Sequence, residues 1–220
     1  MLLQVATNID LRFRKSNTMN DHHYKKKLIL KIATSCFYER GIRVVSMDDI
    51  AKKCAVSKKT IYFFYSSKTE LIKEMLKSEA EVFNQQIEIL KKNASNSIVE
   101  FFFFFEFLTN VRSRMTLEFL YDLKKNDAIS GVNTYIESIK SFLQENFIRG
   151  VNEGLYNPII DIGKQIISVG KICNLLFFNT DTMTNNSDDI KILAKVFCSY
   201  LLSKDGNKWF KQYPQNNSEK

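Results

Sequence analysis

Residues 46–71, SMDDIAKKCAVSKKTIYFFYSSKTEL, constrain this chain more than any other stretch. Three helix starts are written into it. Ser46 is a good N-cap, and Asp49 three residues later completes a capping box. Ala55 and Val56 then allow only a tight turn. Ser57 caps a short helix over Lys58–Tyr65. Ser67 caps a third, with Glu70 as a second capping-box pair. Ile50, Ala51 and Cys54 share one face of the first helix. Ile61, Phe64 and Tyr65 are spaced to dock on it, which turns Lys58, Lys59, Tyr62 and Phe63 outward.

That outward face carries chemistry. Two lysines in the first turn of a helix oppose its macrodipole, at roughly 0.3–1 kcal/mol each. A sequence shaped by stability alone would place acids there. Cations, hydroxyls and aromatics at the N-terminal end of an outward helix are what a reader of the DNA major groove needs. A solvated helix face explains the lysines alone equally well. The caps and the spacing together favour the groove reader.

Charge points the same way. The 220 residues carry a net +8. Tyr24 to Ile72 holds eleven Lys/Arg against four Asp/Glu, whereas residues 73–220 are balanced. A basic head on a neutral body implies a polyanionic partner. A membrane surface would prefer one long amphipathic helix to a compact capped unit. The longest apolar run, Phe101–Phe105, stops at Glu106 and is too short to span a bilayer. Cys36, Cys54, Cys173 and Cys198 show no C-x-x-C pairing, which suits buried thiols and a reducing cytoplasm. His22 and His23 are the only histidines, with no Ser-His-Asp or Cys-His set around them and no Gly-rich phosphate loop. No catalytic residue, metal site or cofactor is expected.

Seven glycines, two prolines and long helical periods indicate an all-α chain. Residues 1–21 read as a flexible N-terminal tail, although Arg12, Arg14 and Lys15 also suit an arm reaching a minor groove. Met19 is an alternative start. Ile29, Ile32, Ala33, Cys36 and Phe37 form the stripe of a first helix that Gly41 stops, and Lys25, Lys26 and Lys27 at its start can touch phosphates. A fourth helix runs from Lys68 to about Lys92. Later helices are expected near 98–111, 115–125, 130–154, 161–179 and 188–203, giving about nine in all. The organisation is a tail over 1–21, a head over 22–72, a helical body over 73–208 and a C-terminal tail over 209–220.

Ser46, Asp49-Ile50-Ala51, Val56-Ser57, Thr60-Ile61-Tyr62, Phe64-Tyr65 and Ser67-Lys68-Thr69-Glu70-Leu71 together resemble the DNA-binding head of TetR-family transcriptional regulators. Ala55 stands where that family usually has Gly, so a left-handed turn there is strained. The resemblance implies a helix-turn-helix head on a ligand-binding and dimerisation body, and a cytoplasmic homodimer that binds a near-palindromic double-stranded operator, most often as a repressor. Tyr62, Lys58 and Lys59 are expected at base edges or nearby phosphates. Ser46, Ser57, Thr60 and Lys68 are expected on phosphates, with Met47 and Phe63 in the same surface. The implied pocket for a small apolar or amphipathic effector is assigned to Phe101, Phe104, Phe105, Leu108, Met115, Phe119 and Tyr121, with Glu106 and Glu118 as selectors of a cationic ligand. A phenylalanine stripe is also what plain core looks like. One short helix reads too few base pairs to find a site alone, so such heads usually act as pairs. Ile166, Val169, Leu176, Leu193, Val196 and Phe197 are assigned to its interface. Two alternatives stay open: a head-bearing dimer without an effector, activating or protein-partnered, and a helical enzyme binding an anionic substrate.

Overall fold

Ten helices and no strand form among the described residues of the computed structural model, which are 18–125, 131–178 and 187–212. The first four are α1 (Thr18–Arg40), α2 (Met47–Lys53), α3 (Lys58–Phe64) and α4 (Lys68–Asn93). The body adds α5 (Ser97–Arg112), α6 (Leu117–Lys125), α7 (Gly131–Asn152), α8 (Ile162–Phe178), α9 (Ser187–Leu201) and α10 (Lys204–Gln212).

The caps set the head. The Ser46 hydroxyl accepts the Asp49 N–H at 3.1 Å while the Asp49 carboxylate accepts the Ser46 N–H at 2.9 Å, a complete capping box. The Ser57 hydroxyl accepts the Thr60 N–H at 3.0 Å. At α4 only half of the expected box forms on Ser67. Its hydroxyl accepts the Glu70 N–H at 3.1 Å, but the Glu70 carboxylate reaches past it to the Ser66 N–H at 2.7 Å and the Ser66 hydroxyl. These bonds favour the ionised acids. The Asp49 and Glu70 carboxyls therefore sit below their ordinary pKa, held by Ser46 and Ser66 respectively.

Ala55 closes the turn between α2 and α3 at φ +53°, in the left-handed region. That conformation costs a side-chain-bearing residue about 1–2 kcal/mol. Glycine removes this strain but frees the unfolded chain by roughly 0.4–1 kcal/mol. Ala55→Gly should therefore stabilise the protein by about 0.5 kcal/mol, seen as a raised urea midpoint. A lowered midpoint would mean the turn is relaxed as it stands.

The head core joins Ile29, Ala33, Cys36 and Phe37 of α1 to Ile50 and Ala51 of α2, Ile61 of α3, Tyr65, and Leu71, Ile72, Met75 and Leu76 of α4. It does not close at residue 72. Phe119 and Leu120 of α6 are buried in the same cluster. The Phe119 ring meets Tyr38 edge-on at 4.8 Å, and the Thr116 N–H donates to the Tyr38 carbonyl at 3.0 Å. An element of the body in sequence is thus an element of the head in space.

A second core fills the body. Phe101, Phe104, Phe105 and Leu108 of α5 pack with Phe142, Leu143 and Phe147 of α7, and with Ala194 and Cys198 of α9. Polar groups tie its edge. Buried Glu100 pairs with Arg149, which also holds Glu153 at 2.7 Å, and Glu153 accepts the Ser97 N–H at 2.8 Å. Burial raises the Glu100 carboxyl above its ordinary pKa despite the guanidinium. Burial opposes the Glu153 charge too, but the Ser97 amide and Arg149 outweigh it and hold that pKa down.

The C-terminal tail starts later than expected. The Ser203 N–H donates to the Leu155 carbonyl at 2.9 Å and the Asn157 N–H to the Leu201 carbonyl at 2.8 Å, fastening the α7–α8 connection to the α9–α10 junction. α10 follows, and its Trp209 and Phe210 pack on the body core, with Phe210 stacked on Phe102 at 5.7 Å. Residues 213–220 lie outside the described residues.

Candidate nucleic-acid interface

α3 stands on the head with one side fixed. Ile61 is fully buried, and Tyr65 just beyond the helix is 1% exposed. Burial pushes the Tyr65 hydroxyl up to about 12, and that hydroxyl donates to the Lys26 carbonyl at 3.1 Å. On the other side Lys58, Lys59, Tyr62 and Phe63 are exposed, Phe63 at 69% and Tyr62 at 43%. Large apolar rings held in water on a helix whose back is locked form a presented surface.

The polar residues assigned to this surface are not equivalent. Lys59 has no ion pair among the described residues, whereas Lys58 is held by Asp48 at 2.9 Å, which raises its pKa. Ser57 and Thr60 share a hydrogen bond at 2.7 Å, and the Ser46 hydroxyl donates to Asp49, also at 2.7 Å. These hydroxyls are exposed but organised by their neighbours. Met47 corrects the assignment. Its side chain is buried in the head core, which takes it out of the exposed surface. Lys68 is half-buried and its ammonium rests 3.4 Å from the Arg43 carbonyl, where burial lowers its pKa.

Arg43 is the residue that sequence reasoning missed. Its loop joins α1 to α2, directly before Ser46. Buried Asp122 of α6 accepts its N–H at 2.8 Å and its Nε–H at 2.7 Å, while Tyr121 lies under the guanidinium at 5.6 Å. The Arg43 side chain remains 71% exposed. A cation oriented at two points beside the α2 N-terminus is equipped to meet a phosphate. No local signal reveals this, because its anchor is 79 residues away.

Comparison with known proteins follows this geometry. The family model for the N-terminal part of bacterial regulatory proteins of the tetR family matches residues 29–75, the span of the head core from α1 into α4. Residues 29–75 are a tetR-family head by that match. Among relatives, the uncharacterised HTH-type transcriptional regulator YhgD of Bacillus subtilis is 45% identical over 51 residues, which is 23% of this chain and 27% of that protein. This match therefore spans about a quarter of its length. IcaR of Staphylococcus aureus, the negative transcriptional regulator of a biofilm operon, is 25% identical over 147 residues, covering 61% of this chain and 78% of IcaR. The fold is shared with a TetR-family regulator from Agrobacterium tumefaciens at a TM-score of 0.67 and 13% identity, over 83% of this chain and all of that one.

The body distributes the expected effector residues over two places. Phe101, Phe104, Phe105 and Leu108 are buried in the body core, where Phe104 stacks on Phe142 at 4.2 Å and the Phe101 and Phe105 rings meet at a tilt with centroids 4.8 Å apart. Met115 and Phe119 belong to the head core, and Tyr121 is exposed between Arg43 and Lys125. Glu106 and Glu118 both face solvent. The seven residues do not meet around one void. An open groove of about 630 Å³ lies instead between α4 and α7, lined by residues that include Ile87, Glu88, Lys91, Ser141, Phe142 and Glu145.

The interface residues also separate. Val169 is fully buried within its own protomer, so it is core. Val196 is 64% exposed, Ile166, Leu193 and Phe197 are half-buried, and the side chain of Leu176 lies outside the described residues. Ile167, Ile192 and Tyr200 join Val196 as exposed apolar side chains on α8 and α9.

Proposed function

We propose that this protein is a cytoplasmic, dimeric TetR-family transcriptional repressor that reads a near-palindromic operator through α3. The observation that carries it is the two-sided character of α3, with Ile61 locked beneath and Lys59, Tyr62 and Phe63 standing in water. The negative role of IcaR supports repression over activation. The apolar stripe Ile192, Val196 and Tyr200, with Ile167 beside it, supports pairing through α8 and α9. Such a dimer presents two copies of α3 to half-sites about 34–36 Å apart. Among the described residues no helix is long and apolar enough to cross a membrane.

Tyr62→Ala tests the reading role. On DNA from upstream of its own coding sequence, with excess random competitor at about 150 mM salt, specific binding should weaken by about 1–3 kcal/mol. Binding to random DNA should hardly change. Equal losses on both would remove Tyr62 from recognition.

A ligand-responsive repressor is the form this proposal takes, with an effector that respaces the heads. The mutual packing of the α5 phenylalanines favours a second form, in which the body only dimerises. A thermal-shift screen against small apolar and amphipathic compounds separates them. A compound that both raises Tm and releases operator DNA excludes the second form.

A further inference from the structure

Phe63 is the most exposed Phe or Tyr side chain among the described residues of the head, 69% open to water, yet it does not hang free. The Phe64 ring meets it edge-on at 5.1 Å and the His22 ring at 5.7 Å, while His22 meets Phe64 at 5.8 Å. The rings lean on one another in pairs, and Phe64 in turn packs on the head core. His22 comes from α1, whose buried stripe begins only at Ile29, about two turns later. One turn on from His22, the Lys26 carbonyl accepts the Tyr65 hydroxyl at 3.1 Å, which holds this part of α1 against the end of α3.

The ring is also aimed. Helical spacing sets Phe63 and Lys59 one turn apart on the side of α3 opposite buried Ile61. Their neighbours are already engaged within the head. Lys58 is held by Asp48 at 2.9 Å, and the Thr60 hydroxyl shares a hydrogen bond with Ser57 at 2.7 Å. The outermost line of the helix therefore offers one cation and one rigid apolar ring.

We infer that Phe63 is the thymine-specificity determinant of α3: its ring covers the C5-methyl group of one thymine per half-site, and His22 is the positioning residue that holds the ring there. This rests on the DNA-reading role proposed above. Thymine alone among the four bases presents a methyl group in the major groove. A phenyl ring has no hydrogen bond to give, so over a purine edge or the cytosine amine it strips away water and returns nothing. Over the methyl group it removes apolar surface from water on both partners. A ring fixed beforehand also spares the rotamer freedom that a loose side chain loses on binding.

The test begins by selecting sites from a pool of random duplexes with the full chain. In the selected site each thymine is then replaced singly by uracil, which removes the methyl group and keeps every hydrogen bond. One position per half-site should lose affinity about fourfold, the worth of one methyl-sized group, and roughly fifteenfold when both half-sites are changed. Phe63→Ala should bind the thymine and uracil duplexes equally. His22→Ala should weaken the preference at unchanged Tm, and His22→Phe should retain it, because the contact is between rings. Tolerance of uracil at every position overturns the inference and leaves the reading role of α3 standing. A uracil penalty that persists in Phe63→Ala gives the methyl group to another residue and overturns it as well. An unchanged preference in His22→Ala removes the positioning role. Selection that enriches no sequence overturns both the inference and the reading beneath it.

Discussion

Phe119→Ala should destabilise the protein by about 3–5 kcal/mol, with the loss concentrated in the head. Phe119 is fully buried, yet it arrives in the head core from α6. Its loss opens a cavity whose walls are pinned. Tyr38 is held by the Thr116 amide, and its hydroxyl donates to Glu79 at 2.7 Å. Arg43 is held by Asp122. A site that cannot collapse sits at the costly end of the range. Urea denaturation gives the magnitude, and amide hydrogen exchange gives the location. Protection should fall first in α1 and α2 and last in α9. Leu117→Ala, at an exposed position of the same helix, serves as the near-neutral control. A loss for Phe119→Ala below about 1 kcal/mol would mean that α6 is only appended to the head.

Val196→Glu should abolish the dimer while leaving the protomer folded. Ile192, Val196 and Tyr200 recur every four residues along α9 and are 57%, 64% and 68% exposed, with Ile167 of α8 at 60%. Apolar side chains repeated on one face of a helix pair mark a surface that another molecule covers. A carboxylate at the centre of that surface must be desolvated without a partner, which costs several kcal/mol. Sedimentation should show a monomer. Affinity for the near-palindromic site should fall by about 10²–10⁴, the advantage that linking two heads confers. A stable dimer in this variant would place the interface elsewhere, and an unsubstituted protein that sediments as a monomer would remove it altogether.

What the sequence revealed was mostly local. Ser46, Ser57 and Ser67 announce helix starts because a cap acts within three residues of itself. The outward set of α3 follows from helical spacing once Ile61 is taken as buried. Long-range pairings left no such trace. Nothing near Arg43 points to Asp122, and nothing around Phe119 says that its helix completes the head. Helices apolar on every side concealed their phase. α5 therefore could not be divided into core and pocket, and on α8 the spacing alone did not separate exposed Ile167 from buried Val169. Met47 misled for a simpler reason: the first turn of α2 turns that side chain inward, into the head core.

The α6 contacts also bear on protein engineering. A hybrid that kept only the contiguous head of this chain would be cut near the start of α4. Here such a cut would leave Phe119, Leu120 and Asp122 behind with the discarded body. The transplanted piece would have an open core and an untethered Arg43. The portable unit of this protein is therefore discontinuous, and a working hybrid must carry residues 115–123 along with the first seventy-six.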